Sequence, residues 1–162
     1  MKNMEMLDAN KNISNAMGMD HSHMPISIPK NVKAVGLSLA IVADSMSGYN
    51  LSIITQNYQL TPPPENTDME ELMKVSLNAG SGFLQGHAHL YINGEKIQRV
   101  YGQYIHLPEA WFKQGTNSVS ITLNNHDHRY WTQSERKILA TIMLDHHGKP
   151  LIKHQFASFP VN

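Results

Sequence analysis

From Val32 onward the chain alternates. Val35, Leu37, Leu39 and Ile41 are separated by small or polar residues, a period of two that predicts a strand with one buried face. Ser45 to Gly48 reads as a turn and Asn50 to Tyr58 as a second strand. TPPPENTDMEEL, residues 61–72, reads as a loop: its three prolines cannot donate to a ladder and its acidic residues are solvated. A short helix is expected around Met69 to Val75. In LYINGEKI the pair Asn93-Gly94 joins two alternating runs, and both residues tolerate positive φ, so a two-residue hairpin is expected. That turn fixes a register, which sets Ile92 against Glu95, Leu90 against Ile97 and Ala88 against Arg99. On its other face it sets Tyr91 against Lys96 and His89 against Gln98. Further strands are expected around Gln103–Leu107, Ser118–Leu123 and Lys137–Leu144.

About seven short strands without a strong helix predict an all-β fold, an antiparallel Greek-key sandwich of the immunoglobulin-like or cupredoxin-like kind. Residues 1–30 lack a lasting apolar period and read as a flexible tail rich in Met and His, ahead of a domain over residues 31–162. The opening MKNMEMLDANKN carries no secretory core, and AVGLSLAIVA is too short to cross a bilayer. A mature exported form, periplasmic or extracellular, is expected.

Composition narrows the chemistry. The formal charge is zero and no basic run exists, which argues against nucleic acid and against a polybasic membrane anchor. There is no cysteine, which removes disulfides, thiolate zinc sites, iron–sulfur clusters and the blue-copper centre. There are ten histidines and ten methionines, and many of them cluster. Met17, Met19, His21 and His23 alternate through MGMDHSHM, with Met24 directly after; His87 and His89 sit two apart, as do His126 and His128; His106 ends a predicted strand. Thioether sulfur together with imidazole nitrogen suits an ion that cycles between Cu(I) and Cu(II), so copper is the expected ligand, with zinc as the alternative.

The hairpin alternation puts Ala88, Leu90, Ile92 and Ile97 on the core face, and His87, His89 and Tyr91 on the opposite, outward face. Imidazoles two residues apart, about 6.6–6.8 Å along a strand, can lean onto one ion. His106 and His128 are the expected partners, with His126 a weaker candidate. Asp127 and Tyr91 are expected behind the ligands, Asp127 orienting a histidine. His146, His147 and His154 are expected as solvated surface groups.

The runs DSMSGYNLSIITQNYQLTPP, GHAHLYINGEKIQRVYGQYIHLP and GTNSVSITLNNHDHRYW resemble a group of exported, copper-associated bacterial β-sandwich proteins, over roughly residues 35–145. The resemblance implies a recurrent polar cluster of His87, His89, His106, Asp127 and His128, with His126 a departure from the pattern. It also implies export to the periplasm, and it supplies no reaction. The resulting expectation is a copper-binding protein of the cell envelope, for capture, sequestration or delivery, more a carrier than an enzyme. Its partners would be the metal ion and another copper protein. The alternatives are a copper-dependent redox enzyme resembling superoxide dismutase sandwiches, and a structural or adhesive sandwich with incidental metal binding.

Overall fold

The computed structural model describes residues 21–65, 68, 70 and 75–162. It is an all-β structure of two sheets. The small sheet holds β2 (Gly36–Ala43), β3 (Tyr49–Gln56) and β7 (Tyr104–Leu107) in the order β2-β3-β7. The spine of the large sheet is antiparallel, in the order β6 (Glu95–Val100), β5 (Leu84–Ile92), β8 (Thr116–Asn124), β11 (Leu139–Asp145) and β12 (Ile152–Ala157). Shorter segments extend it: β4 (Tyr58–Leu60) beside β5, and β9 (Tyr130–Gln133) flanked by β1 (Pro25–Ser27) and β10 (Arg136–Lys137). Among the described residues twelve strand segments therefore stand where about seven are expected from the alternation. The additional ones are short pieces whose partners are distant in sequence. One of them lies within the expected tail: Pro25–Ser27 runs parallel to Tyr130–Thr132.

The core lies between the sheets. Leu37, Leu39 and Ile41 of β2 and Leu51 and Ile53 of β3 are buried, as the alternation predicts. They face Ala88, Leu90 and Ile92 of β5, Val119, Ile121 and Leu123 of β8, and Ile142 and Leu144 of β11. Burying one such aliphatic side chain contributes about 1.5–3 kcal/mol, so this double layer dominates the stability of the domain.

The Asn93-Gly94 hairpin forms with φ of 52° and 83°. Its register differs from the unbulged one. Tyr91 pairs with Lys96 but Leu90 pairs with Gln98, so Ile97 is an extra residue in β6. The cause is visible in the consequence. Without the bulge Arg99 would oppose Ala88 on the core face, where an unpaired charge is costly. With it, Val100 opposes Ala88 and is buried, and Arg99 lies across from His89 on the outer face.

Gly86 marks a close approach. A Cβ there would collide with the carbonyl oxygen of Asn124 and the hydroxyl of Tyr58. That hydroxyl donates to the carbonyls of His87 and Asn124, at 3.1 Å each, and so ties the start of the His87–His89 run to the end of β8. Gly86→Ala is expected to destabilise the domain by about 1–3 kcal/mol through overpacking, read from the urea midpoint; an unchanged midpoint would refute the close packing.

Candidate metal centre

His87 and His89 point away from the core, as alternation requires, yet each is only 1% exposed. The expectation of an outward face is met and the expectation of a surface position is not. The reason is the segment Asn125–Arg129, which leaves β8 and folds back over the outer face of β5. It is built by its own asparagines. Asn125 Oδ1 accepts from the backbone N–H of Asp127 at 3.1 Å and of Arg129 at 2.9 Å. Its backbone bonds to His128 and Arg129 close the loop. Thr122 donates to Asn124 Oδ1 at 2.8 Å, and Asn124 Nδ2 donates to the carbonyl of His128 at 3.1 Å. These bonds hold His128 at φ 71°, a left-handed conformation that costs a β-carbon residue about 1–3 kcal/mol.

The strained loop delivers His128 to the strand pair. His87 Nε2 lies 3.0 Å from His89 Nε2 and 3.2 Å from His128 Nδ1, and the last two atoms are 3.3 Å apart. With metal–nitrogen bonds of about 2.0–2.1 Å, a tetrahedral ion sets its ligands about 3.3–3.4 Å apart, and a planar three-coordinate ion about 3.5–3.6 Å. The triangle is close to a tetrahedral face, which a fourth ligand would complete. Three nitrogens that all face one point cannot each satisfy the other two with a linear hydrogen bond. A cation accepts all three lone pairs at once.

Behind the triad the other nitrogens are arranged. His87 Nδ1 lies 3.4 Å from His126 Nδ1, and His126 Nε2 lies 3.4 Å from Thr61 Oγ1. If His126 donates from Nε2 to Thr61, its Nδ1 accepts from His87 Nδ1–H, and His87 then presents the Nε2 lone pair to the triad. His126 thus stands behind a ligand and outside the triangle. Tyr101 packs edge-on against His87, with ring centroids 5.6 Å apart. Tyr91 lies on the same face of β5, half-buried.

His106 is elsewhere. It sits on β7 of the small sheet, 2.9 Å from Asn50 Oδ1 and 3.8 Å from Asp44 Oδ2. It does not join His87, His89 and His128, because strand-end position does not reveal which sheet a strand enters. Asp127 does not orient a histidine of the triad. It is buried and takes His21 Nδ1 at 2.9 Å and Arg129 Nε at 3.1 Å. His23 and Met24 are exposed, and Met24 is held through its backbone to Tyr130. Met17 and Met19 lie outside the described residues, as does most of the expected helix at Met69–Val75. His154 is exposed as expected, but His146 is buried, in a second group with Glu109 and His147.

Burial, then the neighbouring histidines and Arg99, push His87 down to about 2, and burial also lowers His126. His87 is therefore a neutral, ligand-ready imidazole at all ordinary pH. Above the usual histidine value of about 6.5, folded and unfolded chains both hold it neutral. Below that value the unfolded chain binds a proton that the folded chain refuses, so stability falls with pH across the window from about 6.5 towards 2. Urea unfolding with chelator present should show a lower midpoint at pH 5.0 than at pH 7.5, and His87→Gln should flatten that dependence. An equal slope in the variant would contradict the assignment.

No protein-family model, no curated protein and no solved structure matches the chain.

Proposed function

We propose that this chain is a copper-binding protein of the cell envelope, one that captures copper and hands it on, with His87, His89 and His128 as its ligands. The observation that carries the reading is the nitrogen triangle with sides of 3.0–3.3 Å on a buried patch of the sheet's outer face. The all-imidazole donor set suits copper and zinc. The sequence around the site favours copper. His21 is tied to Asp127, next to the ligand His128, and MGM lies immediately before its Asp-His. Methionines at 17, 19 and 24 put soft thioethers close in sequence to His21. Such donors bind Cu(I), and imidazoles serve either oxidation state, which suits transfer better than permanent storage. Export, and the likeness to copper-associated envelope sandwiches, belong to the same proposal.

One observation favours a redox variant. Tyr101 packs on the ligand His87. In that reading copper is alternately reduced and reoxidised by superoxide, or oxidises a small reductant with dioxygen as the electron acceptor.

Copper titration of the full chain tests both. The expected outcome is one triad-bound Cu(II), with nitrogen superhyperfine splitting in its EPR spectrum, and Cu(I) competed from a chromophoric chelator. His128→Ala should weaken binding at least about tenfold, a loss of about 1.4 kcal/mol, while His106→Ala leaves it unchanged. Equal affinity in His128→Ala would remove the triad as the site. Superoxide or ascorbate turnover by the copper-loaded chain, abolished in His87→Ala, would move the reading to the redox variant.

A further inference from the structure

The second histidine group lies at the other end of the large sheet. Along β8, Asn124 pairs with His87 and Thr116 pairs with Asp145, the residue before His146. Eight residue steps separate these pairings, roughly 26 Å at about 3.3 Å per residue. The two groups are therefore separate in ligand set and in surroundings.

Here Glu109 Oε2 lies 3.1 Å from His146 Nε2 and 2.7 Å from His147 Nε2. Each donor is held from behind. The backbone N–H of Gly48 donates to the other carboxylate oxygen of Glu109, at 3.1 Å. Tyr49, buried in the core, sets its hydroxyl 2.7 Å from His146 Nδ1 and accepts the backbone N–H of His147 at 3.2 Å. Phe112 stacks on the His146 ring, with centroids 5.7 Å apart. His147 sits at φ 62°, which turns its ring beside that of its neighbour, with centroids 3.9 Å apart. A surface cleft of about 480 Å³, bounded by Gly48, Glu109, His147 and Lys149, opens onto the group.

We propose that Glu109, His146 and His147 are a second metal site and that it takes Zn(II). A phenol oxygen has two lone pairs, so Tyr49 can accept from His147 N–H and from His146 Nδ1–H together. With His146 in that tautomer its Nε2 lone pair faces the carboxylate, an arrangement of two acceptors that a cation stabilises; in the other, Tyr49 donates to Nδ1 and Nε2–H donates to Glu109. In the metal-free chain protons fill these places, and zinc displaces them on binding. Two imidazoles and one carboxylate are a borderline donor set that zinc uses with a fourth position open, here towards the cleft. The triad offers imidazole alone and no oxygen, so the two groups present different donor sets.

The alternative is a salt-bridged seal on the end of the sandwich. Zinc titration of the full chain, followed by the imidazole signals in NMR and by calorimetry, separates the two. In the wild type, zinc should shift the ring signals of His146 and His147. The same shifts should persist in His87→Ala/His89→Ala, so failure of the copper triad leaves this site readable. Glu109→Gln and the exposed His147→Ala should each weaken zinc at this site at least about tenfold, and Tyr49→Phe, which keeps the buried ring, should weaken it by a similar factor through His146. Ring signals unmoved by excess zinc, or Glu109→Gln lowering the melting temperature without changing zinc affinity, would overturn the proposal and leave the seal.

Discussion

The structure depends on burying the outer face of one strand pair. A sheet in a sandwich ordinarily turns that face to water. Here His87 and His89 occupy it and are almost inaccessible. Two imidazoles removed from water without fixed partners would cost stability, so the cover must bring polar groups of its own. Asn125 and Asn124 supply the framework of that cover, and it brings His128 to the triad and His126 behind it. The loop accepts a left-handed histidine to do so. Local strain held by several hydrogen bonds, at a point where three nitrogens converge, is the pattern expected of a binding site more than of a packing solution.

The β5–β6 bulge belongs to the same arrangement. It moves Arg99 onto the histidine face, where its charge opposes protonation of His87. A protonated imidazole cannot ligate through that nitrogen. Register, burial and charge therefore act in one direction at His87, towards a neutral imidazole. At the far end of β8 the balance differs. A half-exposed carboxylate and an exposed histidine meet water there, and a core tyrosine provides the rigidity.

Much of the fold was legible because alternation is a local signal. Leu37, Leu39, Ile41, Ala88, Leu90 and Ile92 are buried as their spacing requires, and His87 and His89 take the opposite face. What periodicity leaves open is what covers a face. The roof over His87 comes from residues about forty positions away, so its burial had no local sign. His106 shows the same limit: strand position is readable, but membership of the small sheet is decided by β7 pairing with β3. The bulge at Ile97 could have been found by asking where an unbulged hairpin would send Arg99. His146 and Glu109 lie 37 residues apart and meet only through the sandwich end, which no spacing rule reports. A pointer was present in the adjacent pair His146-His147 beside a turn.

The tie between His21 and Asp127 connects the histidine-rich end of the N-terminal segment to the site. Asp127 is flanked in sequence by His126 and His128, and its carboxylate is shared between His21 and Arg129. Under the proposed copper reading, donors on a segment that enters the domain beside the triad would gain a high effective concentration there. The His21–Asp127 contact, backed by β1 pairing with β9, is a fixed point between that segment and the triad. The contact also answers why an acidic side chain is buried in the roof without orienting a triad histidine. Its partners lie on the segment and on the loop, so it fastens one to the other.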